Sequence, residues 1–138
     1  MSRSAEATLA ELFAAAKTAQ TNAYAPYSRF KVGAALSTPG GAIFSGCNVE
    51  NAAYPQGSCA EAGAIAAMAL AGERRIAEIL VVADGEAPCT PCGGCRQRIR
   101  EFADPSTVIR IAGPEGVRAR FTLAELLPES FGPDHLSV

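Results

Sequence analysis

The chain has 138 residues, 49% of them hydrophobic and 19% charged, which is the size of one ordinary globular domain with a core of its own. Its formal net charge of −2 argues against a polyanionic partner, so binding to nucleic acid is not expected. Charges such as Arg74 and Arg75 interrupt every apolar run before it is long enough to cross a membrane, and no membrane association is expected.

Leu9, Leu12, Phe13 and Ala16 recur at helical spacing and predict a helix from about Glu6 to Asn22. The opening stretch MSRSAEATLAELFAAAK carries Glu6 and Glu11 and lacks a cleavage-like end. It reads as part of the fold and not as a targeting segment, which points to a cytoplasmic protein. YAPYSRF is a Pro-containing loop. KVGAALS and GAIFSGCNVE, separated by Thr38-Pro39-Gly40, predict two strands joined in a hairpin. A helix follows from about Ser58 to Gly72, where glycine is a natural stop. RIAEILVVAD is rich in β-branched residues and predicts a strand closed by Asp84-Gly85. A helix from about Pro91 to Phe102 precedes two more strands, STVIRIAG and GVRARFT. The order α-β-β-α-β-α-β-β predicts one α/β domain over residues 1–138, with helices packed on a mixed sheet.

Three of the five cysteines, Cys89, Cys92 and Cys95, fall three apart in PCTPCGGCRQ. An intracellular chain keeps thiols reduced, so this clustering favours metal binding or catalysis over a disulfide. Pro91 suits the first helical position, which puts Cys92 in the first turn and Cys95 one turn on, where both can grip one ion. A third ligand must come from elsewhere. Cys59 is the strongest candidate, at the start of the other central helix behind the capping-type Ser58. Three thiolates around Zn²⁺ carry one net negative charge, and two converging helix N-termini help to offset it. Arg96, directly after Cys95, is expected to add a charged hydrogen bond to the sulfurs. Three protein ligands leave a fourth position open, the mark of catalytic zinc; Cys89 as fourth ligand would close it. Glu61, two residues after Cys59, is placed to act as a proton shuttle beside an activated water, although the macrodipole alone also favours a glutamate there.

Other residues divide more plainly. Asn48 and Glu50 lie two apart at a strand end, so both are expected on one face, where an amide and a carboxylate can bind hydroxyls. Cys47 reads as a buried thiol, and His135, the only histidine, as no ligand. Arg98 is expected to point away from Arg96 and Arg100, and the pair Arg74-Arg75 to be a solvated helix end. The helix segment AGAIAAMALA is apolar on every face, and its small residues Gly63, Ala66, Ala67 and Ala71 would let a partner helix approach.

C-x-E in SCAEAGAI and P-C-x-x-C in PCGGCRQ resemble the signature of the zinc deaminases, with Cys59 where many have histidine. APYSRFKVGAAL, GCNVENAAYP and LLPESFGP are similar to further blocks of the cytidine deaminases, in that family's order and over most of the chain from Tyr24 to Leu136. The resemblance implies a three-layer α/β/α fold with a mixed five-stranded sheet. It implies hydrolytic deamination of a nucleoside, cytidine or 2′-deoxycytidine, with one Zn²⁺ per subunit on Cys59, Cys92 and Cys95 and Glu61 as general acid and base. It also implies that backbone groups near Ala60 and Thr90 hold the edge of the base, that Phe30 packs on it, and that Asn48 and Glu50 read the ribose. A homotetramer is implied as well, with active sites completed by neighbours and Phe131 reaching into an adjacent pocket. One departure stands out: many members have arginine directly after the acidic residue, thought to balance the thiolate charge, where this chain has Ala62. Two other readings are a deaminase for a modified cytosine nucleoside of the blasticidin type and a structural zinc module, the latter needing four ligands and no Glu61.

Overall fold

The computed structural model describes residues 5–136; residues 1–4 and 137–138 of the expected domain lie outside the described residues. The elements follow the expected order: α1 (Ala5–Thr21), β1 (Val32–Ser37), β2 (Ile43–Cys47), α2 (Ala60–Leu70), β3 (Glu78–Ala83), α3 (Gly93–Phe102), β4 (Val108–Gly113) and β5 (Gly116–Thr122). A four-residue helix, α4 (Leu123–Leu126), and two 3-10 turns, Tyr54–Gln56 and Pro133–Leu136, complete the described chain. None of these helices is long and apolar enough to cross a membrane.

The strands form one mixed sheet in the order β2-β1-β3-β4-β5. β1 pairs antiparallel with both β2 and β3, β3 runs parallel to β4, and β5 turns back antiparallel on β4. Strand alternation then assigns alternate residues to opposite faces. Ala35, Leu80, Val82 and Ala112 meet Leu12 and Ala16 of α1 on one face. Ala34, Leu36, Ile79, Val81, Ile109 and Ile111 meet Ala64, Ile65 and Met68 of α2 and Ile99 of α3 on the other. With both faces covered, β1 and β3, two of the three interior strands, read as continuous apolar runs in the sequence. The result is three layers, α1, the sheet, and α2 with α3, as expected.

The approach of α2 to the sheet is unusually close, and glycine permits it. A Cβ on Gly46 of β2 would strike the backbone nitrogen of Ala64 and lie 2.6 Å from the carbonyl oxygen of Ala60. That contact fixes the height of the first turn of α2. At its other end, α2 stops after Ala71, where Gly72 takes φ 90°, a conformation that costs glycine little.

The helix starts differ from expectation in a way that matters for the site. Ser58 is not the cap and Pro91 is not the first helical residue: Cys59 and Cys92 are themselves the N-cap residues of α2 and α3, both in extended conformation. Cys92 has ψ 169°, so helical geometry cannot begin before Gly93.

Candidate active site

Two helix N-termini converge on the side of the sheet that carries α2 and α3. Cys59 caps α2, Cys92 caps α3, and Cys95 lies in the first turn of α3; their sulfurs are all within 4.8 Å of one another. Thiolates at about 2.3 Å from one tetrahedral ion lie roughly 3.8 Å apart, so the donor set fits a single zinc. The cysteines are graded in exposure, Cys95 buried, Cys59 half-buried and Cys92 exposed. Cys92 feels its helix most strongly: the backbone N–H of Cys95 is the largest influence holding its thiol below the ordinary value. Burial is the largest influence on Cys59 and Cys95 and pushes both thiols up. A dication bound by all three sulfurs would reverse that balance, which is what this donor set is suited to.

Cys59 and Cys92 also line a cavity of about 190 Å³, together with Glu61, Ala60, Thr90 and Asn48. Glu61 is in the first turn of α2 and only 4% exposed. Burial raises its pKa, and the positive charge of Arg98 partly opposes the rise. A carboxyl group at a cavity wall whose charged form is disfavoured by burial is suited to take and return a proton. Cys89 lines the same cavity without joining the sulfur cluster, so the closed four-cysteine arrangement is not what is built.

A second cavity, about 400 Å³, is lined by Tyr27, Ser28, Glu50, Asn51, Tyr54 and Gly57. Asn48 and Glu50 therefore line two cavities and not one. β2 ends at Cys47, and beyond it the alternation of a regular strand no longer applies; Val49 makes isolated bridges to Tyr24 and Ser58 instead. Asn48 accepts from the Val32 N–H at 2.9 Å and donates to the Phe30 carbonyl at 2.8 Å, so its amide brackets the backbone on either side of Lys31. Glu50 accepts from the N–H groups of Tyr27 (2.9 Å) and Ser28 (3.1 Å) and from the Ser28 hydroxyl. The Ser28 hydroxyl is the main reason its pKa is lowered. A carboxylate offers about four acceptor sites, and its partners here leave room for a further hydroxyl donor. The Phe30 ring is 43% exposed and lines neither cavity.

Arg96 does not reach the sulfurs. Its Nε donates to the Pro91 carbonyl at 2.7 Å, Nη1 to the Leu126 carbonyl at 2.7 Å, and Nη2 to the Thr90 hydroxyl at 3.2 Å. It braces the loop that leads into Cys92. The sulfur contact belongs to Arg98, whose Nη1 donates to Cys95 Sγ at 3.5 Å. The spacing explains the exchange: a residue three positions on shares a helix face with Cys95, whereas its immediate successor points elsewhere. Phe131 lies outside both cavities and stacks on His135 with ring centroids 5.2 Å apart, while its carbonyl accepts from Gln97 at 2.9 Å.

Residues 7–111 match the family model described as the cytidine and deoxycytidylate deaminase zinc-binding region. The chain belongs to this family. It is 43% identical over 127 residues to a cytidine deaminase of Sporosarcina psychrophila, covering 92% of this chain and 93% of that protein. A cytidine deaminase of Halalkalibacterium halodurans is 40% identical over 86% of this chain and 90% of its own length. Among solved structures, the cytidine deaminase of Burkholderia pseudomallei superposes with a TM-score of 0.82 at 42% identity, covering 94% of this chain and 100% of that one. That of Mycobacterium tuberculosis gives 0.77 at 36% identity over 89% and 96% of the two chains. The matched segment includes Cys59, Cys92 and Cys95, so the sulfur cluster lies within this family's zinc-binding region and offers three ligand atoms to one metal ion.

Proposed function

We propose that the protein is a zinc-dependent cytidine deaminase, converting cytidine and 2′-deoxycytidine with water to uridine or 2′-deoxyuridine and ammonia. The observation that carries this reading is the placement of Glu61 and two of the zinc-site cysteines on the wall of one cavity. A purely structural zinc module has no use for a buried carboxyl group there and would close the fourth ligand position. When bound, zinc supplies a water that can give up a proton near neutral pH. Glu61 would take that proton and pass it to N3 of the pyrimidine as the water oxygen adds to C4; it would then take the remaining proton from the new C4 hydroxyl and deliver it to the amino nitrogen, which leaves as ammonia when the C4–N bond breaks. Backbone groups near Ala60 and Thr90 hold the edge of the base, and the Phe30 ring turns in to pack on it. The sugar extends toward the segment 48–50, with Asn48 donating to its hydroxyls and Glu50 accepting from them. The enzyme works as a cytoplasmic homotetramer in pyrimidine salvage, Phe131 of one subunit completing the pocket of another.

The test is a substrate panel. Zinc-loaded protein is offered cytidine, 2′-deoxycytidine, cytosine, CMP and a blasticidin-type nucleoside separately, and the loss of absorbance is followed. Turnover of the two nucleosides is expected, with free cytosine orders of magnitude slower. A site built to bond hydroxyls leaves its own polar groups unpaired when they are missing, which can discriminate by roughly 10⁴-fold or more. Equal efficiency on cytosine and cytidine would mean that Asn48 and Glu50 read no sugar, and turnover of the modified nucleoside alone would replace the substrate assignment.

A further inference from the structure

Three thiolates and one dication sum to a single negative charge in a half-buried place, and two helix ends offset it only in part. The residue after Glu61 is Ala62, which brings no charge. The guanidinium of Arg96 is held by two backbone carbonyls and a hydroxyl. Among the described residues, the cation hydrogen-bonded to a sulfur of the cluster is that of Arg98, with Nη1 3.5 Å from Cys95 Sγ. Its path is prepared by the sequence. A helical side chain leans back toward the N-terminus, so Arg98 runs over Gly94, where an added Cβ would come within 3.3 Å of Nη1. The guanidinium thus reaches the cluster from α3, while its charge also acts on the buried carboxyl of Glu61 on α2.

Resting on the zinc reading above, we propose that Arg98 is the charge-balancing and positioning residue of this metal site. The cation missing from α2 at position 62 is supplied by α3, three residues after Cys95. Arg98 touches neither the substrate nor the reacting atoms. It stabilises the net negative charge that the zinc-loaded site carries and fixes the orientation of the Cys95 sulfur. Ala62 and Arg98 are then two halves of one exchange, and a cation restored at position 62 should make Arg98 dispensable.

The experiment is zinc competition against a chromogenic chelator, read on purified folded protein together with turnover. Arg98→Ala is expected to lower zinc affinity by roughly 10- to 100-fold, the range seen when a partner of a metal ligand is removed. Arg98→Lys should recover part of that loss, since a point charge keeps the sign but not the planar fork. The double variant Ala62→Arg/Arg98→Ala should return affinity toward that of the starting protein. A loss of packing alone would not be repaired from another helix. Should Arg98→Ala fold poorly, Arg98→Gln keeps the side-chain bulk and a donor without the charge, and the same drop is expected. Unchanged zinc affinity in Arg98→Ala or Arg98→Gln, or a double variant no better than the single, overturns the proposal while leaving the deaminase reading intact. A starting protein that takes up no zinc overturns both.

Discussion

Glu61 is a carboxyl group in a place where its charged form is disfavoured, nearly out of contact with solvent and beside sulfurs that become anionic when a metal binds. Burial moves its pKa up, and its own backbone N–H and the charge of Arg98 partly oppose the rise. Glutamine has the same shape and cannot carry the proton. Glu61→Gln should therefore fold and hold one zinc per chain, yet lose turnover by at least the roughly 10²- to 10⁴-fold that general acid–base work contributes. Metal content and kcat on the same preparation check it; near-normal kcat would remove Glu61 from the mechanism. The sulfurs and this carboxyl were legible in the sequence because C-x-E and P-C-x-x-C are short-range spacings. Arg98 was not, because Arg96 is nearer to Cys95 in sequence, and only the helix geometry tells which of the two reaches back over Gly94 to the sulfur.

At the scale of elements, α2 positions the site, and the sheet positions α2. Gly46 on β2 lets the backbone of α2 from Ala60 to Ala64 lie directly on the strand, which sets where Cys59 and Glu61 enter the cavity. An alanine there would push against backbone, not against a side chain that can turn away. Gly46→Ala is expected to cost about 1–3 kcal/mol of stability, as overpacking does, and to weaken zinc binding by tilting the Cys59 cap away from Cys92. Denaturant unfolding of the metal-free protein and chelator competition read the two effects separately; wild-type values in both would show that the contact is not needed. The interior strands β1, β3 and β4 and the three long helices were legible because each buries apolar side chains, while the edge strands β2 and β5, with no fully buried residue, were marked by the turns beside them. α4 was missed although Thr122 and Glu125 form a reciprocal capping box, a signal of the Thr-x-x-Glu type, because four residues give no period to read. The true helix starts were also hidden: cysteine is not a usual capping residue, and here the cap positions coincide with candidate metal ligands.

For the whole molecule, the question is what covers its apolar surface. The face of α2 that turns from the sheet carries Ala62, Ala66, Ala69 and Leu70 without a charge, and Leu70 is 90% exposed. Tyr27 and Tyr54, which line the cavity of Glu50, pair edge to face with ring centroids 6.2 Å apart and are more than half exposed; Tyr24, Phe30 and Val49 are also open to solvent. Phe131 is 56% exposed near the end of the described residues, its carbonyl held by Gln97, and it lines neither the cavity of Glu61 nor that of Glu50. Soluble monomers seldom expose so many large apolar groups together, and such surfaces mark interfaces. Small residues on α2 suit close helix packing, while a protruding aromatic suits a pocket on a neighbour. On the homotetramer proposed above, the protein is expected to run as a tetramer in size-exclusion chromatography with light scattering at micromolar concentration. Ala66→Glu, which buries a charge if α2 packs on its counterpart, should dissociate it and reduce kcat/KM, because on the proposed assembly the separated subunit lacks the neighbour's Phe131. Phe131→Ala should leave the tetramer assembled and still reduce kcat/KM. The two variants separate assembly from site completion: a monomeric Ala66→Glu protein with full activity would show that each subunit's site is complete, and a tetrameric one would move the interface off this face of α2.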